Sequence, residues 1–236
     1  MLFTVKPKTR FFPALVSGLL MAISANVFAI SLSDLSSQDV NAGLKAALEK
    51  GSAAAVAKLG VENGFMGNDK VKIKLPAKFE KARPLLQLAG KAQKLDELEV
   101  SMNRAAEAAV PLAKPLLINA IKSMTVADAK NILTGGETSV TDFFRQKTST
   151  SLATQFLPIV KKVTDKAKLA NTYNSLMGQA QKYGVVAEQE ATVESYVTRR
   201  ATEGLYLMIA EEEKAIRQDP LGAGSNIISK VFGALK

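Results

Sequence analysis

Apolar side chains recur every three or four residues along most of the chain, which is the spacing of helices with one buried face. The first such pattern begins at Ser37, and its apolar or small positions are Val40, Leu44, Leu48, Gly51, Ala55 and Leu59. Gly60 follows the last of them and fits a helix C-cap. The pattern therefore predicts a helix over 37–59, and its small residues predict a close approach by a neighbouring helix.

Capping residues mark the starts of further helices. Residues 125–128 (TVAD) and 139–142 (SVTD) each fit a capping box, in which the first and last side chains satisfy each other's backbone N–H. A separate helix is expected over about 151–168, with a bend at Pro158. The longest helical pattern begins beside Thr192 and stops at Asp219-Pro220.

The remaining patterns complete the fold prediction. Residues 171–183 (NTYNSLMGQAQKY) predict one more helix, and 221–236 predict a hinge (LGAG) followed by an amphipathic C-terminal helix. Residues 71–75 (VKIKL) alternate apolar and charged side chains and are the only strand candidate. The predicted fold is all-α: a single-domain multi-helix bundle, with several helices kinked at prolines such as Pro84 and at most one short extended segment.

The N-terminus has the three parts of an export signal. Basic residues within 6–10 precede the apolar run 11–25, and Val27 and Ala29 fit the small residues that signal peptidase accepts. A bilayer-spanning helix needs about 20 apolar residues, and this run is shorter. We therefore predict a signal peptide over 1–29 that is cleaved after Ala29, a periplasmic location, and one helical domain over 30–236. An uncleaved N-terminal anchor is the alternative.

The composition excludes much of enzyme chemistry. The 236 residues include no histidine and no cysteine. This excludes Ser-His-Asp triads, cysteine nucleophiles and metal sites built on thiolate or imidazole. No segment has the ligand spacing of a calcium-binding loop. We therefore expect no cofactor and no metal, and the composition favours a protein that is not an enzyme.

The stretch 95–109 (LDELEVSMNRAAEAA) places a polar row beside its apolar stripe. At about 100° per residue, Glu99, Asn103 and Glu107 lie on the shoulder of the stripe, and Arg104 points nearly away from it. Glu99 lies nearest to the apolar border and is predicted to be the most desolvated of the row. It could then act as a general acid or base. In the alternative, which is the commoner role, Glu99 pairs with an arginine or caps a helix, and Glu107 is solvated.

In the helix that follows Thr192, Glu212 falls within an apolar face. The other members of that face are Val197, Ala201, Gly204, Leu205, Met208 and Ile216. An ionised carboxylate there needs a partner, and the candidate partners are Arg145, Arg104 and Arg200. We predict that Glu212 is buried and paired, whereas Glu213 points outward and pairs with Arg217. The alternative is that this end of the helix overhangs the core and Glu212 is solvated.

The segment 70–83 (KVKIKLPAKFEKAR) is strongly basic. Its cations are Lys70, Lys72, Lys74, Lys78, Lys81 and Arg83, against one acidic residue, Glu80. Such a segment could contact the anionic surface of a membrane, or it could be a solvated lysine-rich edge. Nucleic acid is not an expected partner, because the chain carries an export signal and lacks tryptophan and an aromatic stacking platform.

Several segments together resemble an exported bacterial family catalogued as domain of unknown function 4197. They are LDELEVSMNRAAEAA, AIKSMTVADAKNILTGGETSVTDFFRQKTSTSL, FLPIVKKV, YNSLMG and ESYVTRRATEGLYLMIAEEEKAIRQDP. The resemblance covers nearly the whole chain after residue 29. It implies a small secreted or periplasmic helical protein, and it brings no reaction, cofactor or catalytic residue with it.

The sequence favours a non-enzymatic periplasmic protein that binds a small ligand or an envelope protein. A polar pocket is expected between the helices that carry 95–109, Phe143-Phe144 and 192–218. Its candidate residues are Glu99, Asn103, Arg104, Arg145 and Glu212. Two alternatives stay open: a metal-independent hydrolase or lyase with Glu99 or Glu212 as acid/base, and a peripheral binder of anionic membranes through the cations of 70–83.

Overall fold

Helices make up most of the described chain. A computed structural model of the protein describes residues 36–88, 90, 92–136, 138–166, 171, 173–174 and 192–233. The helices are α1 (Ser37–Leu59), α2 (Ala77–Leu88), α3 (Ala92–Ala109), α4 (Ala113–Lys122), α5 (Val126–Thr134), α6 (Ser139–Lys166), α7 (Val193–Gln218) and α8 (Asn226–Gly233), with a 3-10 turn at Val110–Leu112. No strand occurs in this part of the chain, so the all-α prediction is confirmed. The predicted signal peptide and most of the predicted 171–183 helix lie outside the described residues.

Capping chemistry sets the helix ends at three of the predicted places. The hydroxyl of Thr125 accepts a hydrogen bond from the N–H of Asp128 at 3.1 Å, and the Asp128 carboxylate accepts from the N–H of Thr125 at 2.9 Å. Thr192 caps α7 in the same way, by accepting from the N–H of Ser195. Gly60 follows α1 directly and donates its N–H to Val56. These local hydrogen bonds explain why the helix boundaries could be predicted.

Helix α6 differs from its prediction because it is one continuous helix over 139–166. The start predicted near 151 is wrong, since the Thr148 and Thr154 hydroxyls donate to backbone carbonyls four residues earlier, within the helix. The capping role predicted for Ser139 is also wrong, because Ser139 lies inside the helix and its hydroxyl donates to the carbonyl of Ile132 at 3.0 Å. Pro158 is accommodated inside α6.

Helix α7 lies at the centre of the bundle and contacts α1, α3 and α6. It runs antiparallel to α6, because Tyr206 contacts Thr148 near one end of the pair and Glu194 contacts Thr164 near the other. Helix α8 packs on α1, where a Cβ atom on Gly43 would lie 2.5 Å from the Val231 side chain. The close approach predicted from the small residues of α1 is therefore confirmed. None of the described helices is both long and apolar enough to cross a membrane.

Residues 71–75, the extended segment of the prediction, are neither helix nor strand and lie between α1 and α2. Val71, Ile73 and Leu75 are buried, whereas Lys72 and Lys74 lie at the surface or near it. The alternation of burial is the predicted one, but the segment has no neighbouring strand among the described residues. The N–H groups of Val71 and Lys72 donate to the carbonyl of Asn68, whereas Ile73 and Lys74 are hydrogen-bonded by side chains of α3 and α7.

Candidate functional site

Asn103 on α3 gives the extended segment the hydrogen bonds that a strand would otherwise provide. Its side-chain oxygen accepts from the N–H of Ile73 at 2.9 Å, and its amide nitrogen donates to the carbonyl of Ile73 at 2.9 Å and to that of Glu99 at 2.8 Å. Asn103 and Ile73 are both fully buried. Since buried backbone groups need partners, this amide has a structural role.

Glu107, one turn further along α3, anchors the turn that leads into the extended segment. One carboxylate oxygen accepts from the N–H groups of Phe65 and Met66 at 3.0 and 3.1 Å, and the other pairs with Arg104 at 2.6 Å. Arg104 also donates to the side chain of Asn63 at 2.8 Å. Asn63 has φ of 66°, a left-handed conformation that asparagine tolerates better than most residues.

Glu99 and Tyr196 also hold the segment. We call the whole set of side chains the loop clamp: Glu99, Asn103, Arg104 and Glu107 of α3, and Tyr196 of α7. Glu99 pairs with Lys72 at 3.0 Å. Tyr196 of α7 donates its hydroxyl proton to the carbonyl of Lys74 at 2.9 Å. The segment 60–76 is therefore held from both α3 and α7.

Two predictions about the α3 row are wrong. Glu107, expected to be solvated in the structural alternative, is only 5% exposed. Glu99, expected to be the most desolvated, has 15% of its side chain exposed. The reason is that the segment 60–76 packs against α3 at Asn103 and Glu107 and shields both side chains from solvent. Angles around an isolated helix do not reveal such long-range cover.

On α7, Glu213 rather than Glu212 is the more deeply buried carboxylate, contrary to the prediction. Glu212 is paired, but with Lys58, and its side chain is 18% exposed. Glu213 is the buried one, and its predicted pair with Arg217 is present. Burial raises the pKa of the Glu213 carboxyl, although Arg217 opposes this shift. The three arginines expected to pair with Glu212 pair elsewhere: Arg104 with Glu107, Arg145 with Asp142, and Arg200 with Glu203.

The basic segment is partly neutralised by carboxylates of its own fold. Lys70 pairs with Glu211, Lys72 with Glu99, and Arg83 with both Glu80 and Asp96. Lys74 and Lys81 are exposed, and the side chain of Lys78 lies outside the described residues. The cationic surface is therefore weaker than the run of six cations implies.

A groove of about 610 Å³ runs between α6 and α7. Helix α6 contributes Arg145, Ser149, Ala153 and Leu157 to its lining, at a spacing of four residues. This volume lies within the range of small-molecule sites, which are commonly found between helices of bundles. Of the five residues predicted for a polar pocket, Arg145 lines the groove, whereas Glu99, Asn103 and Arg104 belong to the loop clamp and Glu212 faces α1.

The α7 wall of the groove carries a hydroxyl row, which consists of Ser195, Thr198, Thr202 and Tyr206. These four positions follow the spacing i, i+3, i+7 and i+11, which puts them on one side of a helix. The hydroxyl of Thr198 is buried and has no hydrogen-bond partner among the described residues. Sequence analysis missed this row, although its helical spacing is visible in the sequence.

Charged side chains lie at two places along the groove. Arg145 stands at the Tyr206 end, and Arg199 pairs with Glu203 at 3.0 Å. Burial raises the pKa of the Tyr206 phenol, while its hydrogen bond with Thr148 and the charge of Arg145 oppose the shift. The phenol is therefore protonated and neutral at pH 7. Within the described residues, no three acidic side chains are grouped so that they could hold a metal ion.

Comparison with known protein families identifies the family of the chain. Residues 34–233 match the family described as protein of unknown function, DUF4197. The chain belongs to this family. The DUF4197 region contains every described residue, so it includes both the loop clamp and the groove. The resemblance to domain of unknown function 4197 is confirmed. No curated protein and no solved structure matches the chain.

Proposed function

We propose that this DUF4197 protein is a non-enzymatic binding protein of the bacterial periplasm, and that it takes a small ligand in the groove between α6 and α7. The groove carries the proposal because it combines an apolar surface at Ala153 and Leu157 with the hydroxyl row and an arginine at one end. A cleft with mostly apolar lining and a few placed polar groups is typical of ligand sites. The periplasmic location rests on the export signal that the sequence predicts for residues 1–29.

The engagement of the candidate carboxylates favours binding over acid/base catalysis. Glu99 pairs with Lys72, and Glu212 pairs with Lys58. Glu107 accepts two backbone N–H groups and an arginine. A general acid or base must be within hydrogen-bond reach of a substrate proton. Neither Glu99 nor Glu212 lines the α6–α7 groove, so this geometry gives less support to the hydrolase or lyase alternative.

The pairing of the basic segment gives less support to membrane binding as well. Three of its six cations form ion pairs with Glu211, Glu99, Glu80 or Asp96. Attraction to an anionic surface depends on the unpaired charge near that surface. The groove therefore remains the better supported site.

A thermal-shift experiment on the purified protein tests the proposal. Panels of sugars, organic acids, amino acids and phosphate esters would be added to the wild type and to Ala153→Trp, in which a large ring fills the groove. A compound at about 100 times its Kd adds about 2.7 kcal/mol of stability, which raises the Tm by several degrees for a chain of this size. We expect at least one compound to do so for the wild type and not for Ala153→Trp.

Gln155→Trp is the matched control, because Gln155 is exposed on the same helix and does not line the groove. It should respond to the compound as the wild type does. If Ala153→Trp kept the full response, the ligand would bind elsewhere and the proposed site would be wrong. If no compound in the panel raised the Tm of the wild type, the result would count against ligand binding altogether.

A further inference from the structure

The hydrogen-bond pattern of Tyr206 shows which of its groups is available to a ligand. The Thr148 hydroxyl lies 2.7 Å from the carbonyl of Phe144 and 2.7 Å from the Tyr206 hydroxyl. Thr148 has a single hydroxyl proton, and the carbonyl can only accept. Thr148 therefore donates to Phe144, and Tyr206 donates to Thr148. The lone pairs of the Tyr206 oxygen therefore have no donor among the described residues; the side chain lines the groove and is 2% exposed.

The rest of the hydroxyl row offers both donors and acceptors. The Thr192 hydroxyl donates to the oxygen of Ser195, so the proton of Ser195 has no acceptor among the described residues. Thr198 is 5% exposed, and its hydroxyl has no partner in the described chain. Thr202 donates to the carbonyl of Thr198 and keeps its lone pairs. Ser195 and Thr198 thus supply donors, whereas Thr202 and Tyr206 supply acceptors.

This row is long and ends beside a cation. Tyr206 follows Ser195 by eleven positions, which is about 16 Å along a helix. Arg145, beside Tyr206, uses one nitrogen to contact Asp142 at 2.8 Å, and more than half of its side chain is exposed. Its remaining N–H groups can bind a carboxylate or a phosphate with two hydrogen bonds. The groove therefore provides hydroxyl partners along its length and an anion partner at one end.

Building on the proposed function, we propose that the ligand is an acidic sugar, with its hydroxyl groups on the α7 row and its anionic group on Arg145. A sugar hydroxyl donates and accepts from the same atom, so it suits a row in which free donors and free acceptors are both present. The C–H faces of the sugar would pack on Ala153 and Leu157. A fatty acid would leave the buried Thr198 hydroxyl unsatisfied, which is costly.

Titration calorimetry on the purified protein with four named probes tests the ligand class. The probes are trigalacturonate, glucose 6-phosphate, the neutral maltotriose and dodecanoate. We expect at least one of the two acidic sugars to bind more tightly than maltotriose and dodecanoate. Trigalacturonate alone would identify a carboxylate as the anionic group, and glucose 6-phosphate alone a phosphate. Equal binding of maltotriose, or tighter binding of dodecanoate, would overturn the proposal.

Variants locate the two contacts. Arg145→Gln should raise the Kd for the acidic sugar about tenfold, which is the loss of affinity expected when a charge-assisted hydrogen bond is removed. Thr198→Val keeps the side-chain shape and removes the hydroxyl, and it should raise the Kd for the acidic sugar as well. Lys162→Gln makes the same charge change at an exposed position of α6 outside the groove and should have no effect. An equal loss in Lys162→Gln would show a general charge effect and contradict the Arg145 contact.

The ligand class and the proposed function can fail separately. If neither acidic sugar binds, but another compound stabilises the wild type and not Ala153→Trp, then the sugar proposal is wrong and the binding groove stands. If an acidic sugar binds equally well to Ala153→Trp, both are wrong.

Discussion

Asn103→Ala is expected to lower the free energy of unfolding by about 3 kcal/mol. The change removes the amide that bonds to both backbone groups of Ile73, which is fully buried. Each buried group left without a partner costs about 1–3 kcal/mol, and alanine also leaves a small cavity. Urea unfolding followed by circular dichroism measures the loss, since the chain has no tryptophan for fluorescence.

Asn131→Ala provides the matched control for this substitution. Asn131 is an exposed asparagine in α5, so its replacement should change the stability by less than about 0.5 kcal/mol. Amide hydrogen exchange adds a local readout, because the N–H of Ile73 should lose protection in Asn103→Ala. A loss of stability no larger than that of the control would show that Asn103 does not hold the segment.

Glu107→Ala is expected to cost about 3 kcal/mol as well. Removal of one member of a buried ion pair costs about 3–5 kcal/mol, and the lower value applies because Arg104 is 31% exposed. The N–H groups of Phe65 and Met66 would also lose their acceptor. Glu107→Gln keeps an oxygen that can accept from them, so we expect about half of the loss. The same urea titration measures both variants.

Glu97→Ala is the control on the same helix, because Glu97 is exposed and hydrogen-bonds only to Gln93 among the described residues. Its effect should be within about 0.5 kcal/mol of zero. If Glu107→Gln proved as damaging as Glu107→Ala, charge rather than hydrogen bonding to the turn would explain the role of Glu107, and the loop clamp would need revision.

Features that depend on local hydrogen bonds could be predicted from the sequence. The ends of α1, α5 and α7 could be predicted because Gly60, the Thr125 capping box and Thr192 form hydrogen bonds with backbone groups within four residues of themselves. The burial alternation of 71–75 was likewise visible, because side chains on an extended segment point to opposite sides in turn. The all-α fold follows from these periodicities.

Features that depend on distant parts of the chain could not be predicted in this way. Glu213 was placed at the surface because α7 was treated as a helix with one buried face. Helix α7 is instead central and contacts α1, α3 and α6, so a second side of it is buried. The segment 60–76 buries Asn103 and Glu107 through contacts between distant parts of the chain. No angular argument on a single helix contains this information.

Apart from Arg145, the residues that line the groove were missed for a related reason. The two walls of the groove come from α6 and α7, which are brought together by their antiparallel packing. Serine and threonine in a helical sequence also suggest caps, and a separate helix was predicted to begin near residue 151. Within α6, however, the Thr148 and Thr154 hydroxyls bond to the preceding turn. The spacing of the hydroxyl row is visible in the sequence, but its place in a site could be recognised only once the pairing of α6 and α7 was known.

The structure separates the polar residues of the protein into two groups with different tasks. The loop clamp on α3 stabilises the segment 60–76, and its loss should lower stability. The groove residues Arg145 and Thr198 line a cleft, and their change should alter binding while the fold is retained. This separation makes the function testable without unfolding the protein.

Hydrogen exchange followed by mass spectrometry, with and without a compound that stabilises the protein, tests the central claim most directly. The account predicts slower exchange at residues 145–157 of α6 and 195–206 of α7, with no change at 95–109 of α3. Protection confined to α3 and the segment 60–76, with no change along α6 and α7, would contradict it.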